Sequence, residues 1–120
     1  MRSAIVQAVF VMLVMSATLL GHHSFAAFDM EKASTVSGVV KEFQWRNPHS
    51  WIQLMVTNAS GNEVEWSIET GSPSSLSRLG WKSKALKPGD RIIVSMHPLR
   101  DGRPGGSLIT VTTADGVKIP

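Results

Sequence analysis

The 120-residue chain contains no cysteine. That absence removes disulfide stapling and every thiolate metal site, finger-type zinc included, so stability must come from packing alone. An excess of one charge is also missing: 12 basic residues stand against 9 acidic ones. Such a balance leaves no electrostatic footprint for nucleic acid. Helical periodicity is scarce, and there is no internal repeat, low-complexity tract or interdomain linker. No serine sits in a nucleophile elbow or at a spacing that would recruit a histidine and an acid, so the chain reads as a non-enzyme.

One uncharged apolar run is present, from Ala4 to Leu20, preceded by Arg2 and stopped by Gly21. The positive-then-apolar order is that of a secretory signal. An uncleaved membrane anchor is the alternative, because the run sits at the lower end of what spans a bilayer. Residues 1–21 are therefore read as a signal peptide, with cuts after Ala17 or after Ala26 as alternatives. The first choice leaves residues 22–120, one domain's worth of chain, in the periplasm or secreted.

Residues 22–33 lack clean periodicity and read as an extended N-terminal arm that packs loosely. Residues 34–120 carry five β-like segments separated by turn chemistry. Thr35–Trp45 is long, with Gly38 suggesting a bulge, and it ends at Asn47-Pro48. Trp51–Thr57 places Ile52, Leu54 and Val56 on one face and Trp51, Gln53 and Met55 on the other. Glu63–Glu69 alternates Val64, Trp66 and Ile68 inward with Glu63, Glu65, Ser67 and Glu69 outward. Ser72 as a cap, Pro73 at the first helical position, Leu76 and Leu79 three apart and Gly80 as a stop predict about two turns of helix. Leu86-Lys87-Pro88-Gly89-Asp90 launches Arg91–His97, and a glycine-rich loop leads to Ser107–Thr113. Strand, strand, strand, helix, strand, strand is the order of an OB-type barrel, mainly β, with its helix between strands three and four. A small β-sandwich is the competing arrangement.

The motifs His22-His23-Ser24-Phe25, Trp45-Arg46-Asn47-Pro48-His49 with Trp51, and Glu69-Thr70-Gly71-Ser72-Pro73 resemble those of a family of uncharacterised bacterial secreted proteins. Gly80-Trp81, Leu86-Lys87-Pro88-Gly89-Asp90 and Arg100-Asp101-Gly102 extend the resemblance over nearly the whole mature chain. Members of that family, as the resemblance implies, usually carry an alanine before the histidine pair and often an acidic residue after the two alanines, where Gly21 and Phe28 stand here. The resemblance implies export and a family of unknown function, and no activity.

Two sites can be drawn from the residues. A metal site would use His22, His23 and His49, with His97 as a weaker candidate. A cut before His22 frees an α-amino group that can chelate together with an imidazole, and cupric ion has the highest affinity for such nitrogen donors. Met55 and Met96 could act as soft ligands for cuprous ion, against an ordinary reading as packing. A ligand-binding face would use Trp45, Asn47, His49, Trp51 and Trp81, since OB barrels bind across strands two and three by aromatic stacking and a few polar contacts. Each tryptophan also has a reading as core. Lys82, Lys84 and Lys87 form a local basic patch that could meet an acidic partner or a lipid surface, although such a run is more often only a solvated loop.

The expectation from sequence is an exported, non-enzymatic binding or accessory module. The alternative is a copper-binding periplasmic protein using the N-terminal histidines. Expected partners are a protein, a peptide or a glycan of the cell envelope. Nucleic acid is not expected, because the outward row Glu63, Glu65 and Glu69 would repel phosphates, and a membrane is met only through the leader if it stays uncleaved.

Overall fold

The computed structural model describes residues 25–120. The leader and the histidines His22 and His23 lie outside the described residues. Alternating apolar residues build the strands β1 (Ser34–Gln44), β2 (Trp51–Thr57) and β3 (Glu63–Glu69), then the helix α1 (Pro73–Arg78), then β4 (Arg91–Pro98), β5 (Gly105–Thr113) and β6 (Lys118–Ile119). All six strands join one sheet in the order β3-β2-β1-β4-β5-β6, and β3 also pairs with β5. That last pairing is parallel, from Ser67 opposite Gly105 to Glu69 opposite Ser107, and it closes the sheet into a barrel. The architecture is an OB-type barrel with one added strand, not a sandwich of two sheets.

The long first strand makes closure possible. Its first half pairs with β4, from Ser34 opposite Met96 to Val39 opposite Arg91, and its second half pairs with β2, from Val39 opposite Met55 to Gln44 opposite Trp51. Gly38 sits where the strand passes from one neighbour to the other. A Cβ there would fall on the Met55 carbonyl and the Leu54 side chain, so only glycine allows the approach. The bulge expected at Gly38 lies instead at Lys41, which has no partner between the pairs Val40–Leu54 and Glu42–Gln53. Gly106 has a similar role at the closing seam, where an added Cβ would meet the His97 carbonyl and Met96.

Inward residues from all five barrel strands form the core: Val40, Ile52, Leu54, Ile68, Ile92, Val94, Met96 and Val111 are buried, with Leu76, Trp81 and Leu86 covering one end. The helix is short and held by local chemistry. Ser72 Oγ accepts from the Ser75 amide at 3.2 Å, Pro73 opens the first turn, and Gly80 follows the Leu79 C-cap with φ of 95°. Leu76 points into the core, whereas Leu79 is exposed. The expected Leu76–Leu79 face is therefore split, because the helix ends at Arg78.

Two elements differ from the sequence reading. The described part of the arm is pinned rather than loose: Phe28 is buried and bridges to Leu99, the Asp29 amide donates to the Pro98 carbonyl at 2.8 Å, and the Arg100 amide donates to the Ala27 carbonyl at 2.9 Å. Burial of one phenylalanine and the two backbone hydrogen bonds of that bridge outweigh the lack of periodicity. The strand β6 was not expected. Two residues are too few for alternation to be read, and they are strands only because Ile119 and Lys118 pair with Val111 and Thr112.

Candidate functional site

The site begins at the turn between β1 and β2. Arg46 and Ser50 close it, with the Arg46 amide donating to Ser50 Oγ at 3.3 Å. Ser50 is fully buried and extends the β2–β3 ladder by one pair: its amide donates to the Gly71 carbonyl at 2.9 Å, and its own carbonyl accepts from the Thr70 amide at 2.9 Å and from the Thr70 hydroxyl at 3.0 Å. This stitch carries His49 to the exit of β3. There, His49 Nδ1 and Glu69 Oε1 form a hydrogen-bonded contact, with 41% of the His49 side chain and 16% of the Glu69 side chain exposed. An ionised carboxylate only accepts, so Nδ1 carries the proton. In the neutral ring Nε2 is then the free acceptor, and no described residue donates to it.

His49 and Glu69 stand at one side of an apolar groove of about 430 Å³. Its walls come from the arm (Phe25, Phe28), the helix and its cap (Leu76, Leu79), Trp81, β5 (Leu108, Ile109, Val111) and the C-terminal Ile119. Ile109 reaches it through a second bulge. Thr110 pairs with Ser95 and Leu108 with Met96, which leaves Ile109 without a partner and turns its side chain outward. Five large apolar residues are exposed among the described ones, and three of them, Phe25, Leu79 and Ile109, line this groove.

The residues expected in the binding face are separated by the barrel wall. Phe43 packs edge-on against Trp45 and tilted against Trp81, each at 5.8 Å between ring centroids, so these two tryptophans share the interior side. Trp81 is buried in the core and also lines the groove. Trp51 lies on the opposite surface, between Gln44 and Glu69 in the sheet. Asn47 is exposed in the turn and does not line the groove. The pleat is the reason: Trp51 is paired with Gln44 at the end of β1 and shares its face, whereas Trp45, the next residue, packs on Phe43 at the interior side. Beside Trp51 the outer face carries a bonded row in which Ser67 Oγ donates to Gln53 Oε1 at 2.6 Å, Gln53 Nε2 to Gln44 Oε1 at 3.4 Å and Gln44 Nε2 to Glu42 at 3.1 Å.

Of the expected metal ligands, His49 is in the groove and His22 and His23 lie outside the described residues. His97 is engaged elsewhere, its Nδ1 at 2.7 Å from the Lys32 carbonyl. Met96 is a core residue and Met55 sits on the outer face. Among the described residues no three histidine, cysteine or acidic side chains converge. Glu69, Ser50, Thr70, Leu79 and Ile109 were not read from the sequence as site residues. A signal existed for the first three, since extending the β2–β3 register past Trp51 opposite Glu69 sets Ser50 opposite Thr70.

A model of a family of unknown function, DUF6152, matches residues 10–108. The chain belongs to this family. No curated protein matches the DUF6152 chain. Among solved structures, the mitochondrial single-stranded DNA-binding protein Rim1 of S. cerevisiae is similar, with a TM-score of 0.52 and 9% identity over 69% of this chain and 93% of that one. At that identity the likeness shows the barrel fold alone.

The neighbour does correct the expected list of partners. An OB barrel of this shape occurs in a protein that binds single-stranded DNA, so the exclusion of nucleic acid does not stand. The charge argument behind it counted the acidic row as bare. In the fold Glu65 is paired with Lys41 at 2.7 Å and Glu69 with His49, and the ammonium of Lys41 is held above its ordinary range, chiefly by its hydrogen bond to Glu65.

Proposed function

We propose that this protein is an exported, non-enzymatic binding module whose groove takes a small amphipathic molecule, its apolar body along Phe25, Leu79 and Ile109 and its polar end at His49 and Glu69. The observation that carries the reading is the gathering of exposed apolar side chains around one half-buried polar pair. Isolated exposed apolar residues need no explanation, but a contiguous set lining a concavity does. Ligand pockets span roughly 300–1,000 Å³ and combine apolar walls with a few placed polar groups. The groove, at about 430 Å³, has that size and that chemistry.

Export rests on the leader at Arg2 and Ala4 to Leu20. The non-enzymatic reading rests on the sequence, in which no serine sits in a nucleophile elbow or at a spacing that would recruit a histidine and an acid.

The test uses a fluorescent fatty-acid analogue as the probe. Saturable one-to-one binding is expected, with a change in tryptophan emission from Trp81. Leu79→Glu and Ile109→Glu should each weaken it, whereas Val117→Glu, at a similarly exposed position that does not line the groove, should leave it unchanged. Equal binding by all three variants overturns the reading.

A further inference from the structure

We infer that the groove takes a two-headed chain molecule, with an anionic head on Lys118 at one end and a hydroxyl-type donor on His49 and Glu69 at the other. The inference rests on the reading of the groove as a site for an amphipathic ligand and adds the chemistry of both ends of that ligand.

The polarity of each end follows from which groups can donate. An ionised Glu69 carboxylate only accepts, and His49 has committed its Nδ1 proton to that contact. What the neutral ring still offers is Nε2, again an acceptor. Two acceptors without a donor give a carboxylate or phosphate nothing to bond, and the charge of Glu69 repels one. A hydroxyl can donate to either. Lys118 is the opposite case. It lines the same groove, is exposed, and carries three N–H donors and no acceptor. Ion pairs among the described residues join Lys32 to Asp29, Lys41 to Glu65 and Arg103 to Asp101, and none takes up Lys118. Among the described residues it is also the only lysine or arginine in the groove wall. An anion therefore has one place in this groove, and a donor has the other.

The sheet register sets the distance between the two places. Glu69 lies opposite Ser107, and Lys118 lies opposite Thr112. Both partners belong to β5, and the bulge at Ile109 shortens the strand between them. At about 3.3 Å per residue the two ends stand roughly 15 Å apart along the strand. Ile109 and Thr110 line the groove between them, with Phe25 and Leu79 supplying further wall. A fatty acid fits one end of this arrangement. With its carboxylate on Lys118, its methyl end meets the His49–Glu69 pair and displaces water there without replacing the hydrogen bond, which is costly for a charged acceptor. A chain that ends in a hydroxyl replaces it.

The experiment displaces the fluorescent fatty-acid analogue from the full chain with a short and a long saturated fatty acid, each beside its ω-hydroxy counterpart. The long ω-hydroxy acid is expected to compete about tenfold more strongly than the long plain acid, the gain from one hydrogen bond to a charged group. The short pair cannot reach both ends and should show no difference. Glu69→Gln should narrow the gap between the two long acids. Lys118→Met, which keeps the aliphatic stem, should weaken both by up to about fivefold, the worth of an exposed ion pair. Circular dichroism confirms that each variant keeps the barrel. Equal competition by the two long acids in the wild type overturns the proposal, as does a Lys118→Met variant that binds both as the wild type does. In either case saturable binding of the fluorescent analogue leaves the groove reading standing. If the wild type does not bind the analogue at all, the groove reading fails and this inference fails with it.

Discussion

Thr70 donates twice to the carbonyl of Ser50, from its amide at 2.9 Å and from its hydroxyl at 3.0 Å. Both residues are buried, and no buried side-chain polar atom among the described residues lacks a partner. The pair joins the β1–β2 turn to the exit of β3, and through that joint it sets His49 beside Glu69. Thr70→Val keeps the shape and the amide bond but removes the hydroxyl. The expected cost is about 1 kcal/mol, the net worth of one such hydrogen bond. In a domain of this size that lowers the melting temperature by about 4–8 °C. Thermal unfolding followed by circular dichroism checks it, and an unchanged melting temperature would show that the hydroxyl does not hold the turn.

Gly38 and the Met55 carbonyl are in close approach where β1 changes partners. Gly38→Ala places a methyl group on that carbonyl, and neither backbone can give way without breaking a ladder. Overpacking of this kind costs about 1–3 kcal/mol. Gly61→Ala makes a contrast: its Cβ would meet no atom within 4 Å, and the strain comes only from a φ of 83°. Urea denaturation of the two variants should show the larger loss for Gly38→Ala, since it disturbs two strand pairings at once.

Asp101 accepts from the Arg103 amide at 3.0 Å and from Arg103 Nε at 2.7 Å. The amide bond first, and then the guanidinium, hold its carboxyl below the ordinary carboxylate range. A depressed value in the folded state means that stabilisation of the loop is fully present above the unfolded value of about 3.9 and is lost as pH falls through the lower, folded value. Exposure of both side chains keeps the effect local. Carbon-detected titration should place Asp101 below the ordinary aspartate value, and the Arg103 amide should lose exchange protection only in acid. Asp101→Asn should remove that acid-dependent step, and its persistence would assign the step to another group.

The barrel was legible because its strands obey simple patterns. In β2 and β3 the apolar residues Ile52, Leu54, Ile68 and their neighbours alternate over seven residues each, and Pro88-Gly89 marks the entry to β4. What could not be read depends on closure. The bulge at Lys41 follows from the curvature of β1 around the barrel, and no feature of lysine announces it. Ile109 reads as one more residue of an apolar strand until the count against β4 shows that it has no partner. The site was half legible. His49 stood out through its Asn-Pro turn, but Glu69 looked like one of four outward polar residues, and only the hairpin register separates it from Glu65. The tryptophans misled because composition says that they are large and not which side of the wall they face.

The last prediction concerns the proton on His49. Donation from Nδ1 to an ionised Glu69 requires the tautomer in which Nδ1 is protonated and Nε2 is bare. Nitrogen-15 spectra of the neutral ring should therefore show an amide-like Nδ1 and a pyridine-like Nε2 for His49. His97 supplies an internal comparison, because its Nδ1 faces the Lys32 carbonyl, which also only accepts, and so should show the same pattern. Glu69→Ala removes the acceptor from His49 alone. The spectrum of His49 should then move toward a mixture of tautomers while that of His97 stays as it was. A His49 tautomer unmoved by Glu69→Ala would mean that the carboxylate does not orient the ring, and the lone pair on Nε2 would have no fixed direction for any ligand, metal or organic, to meet.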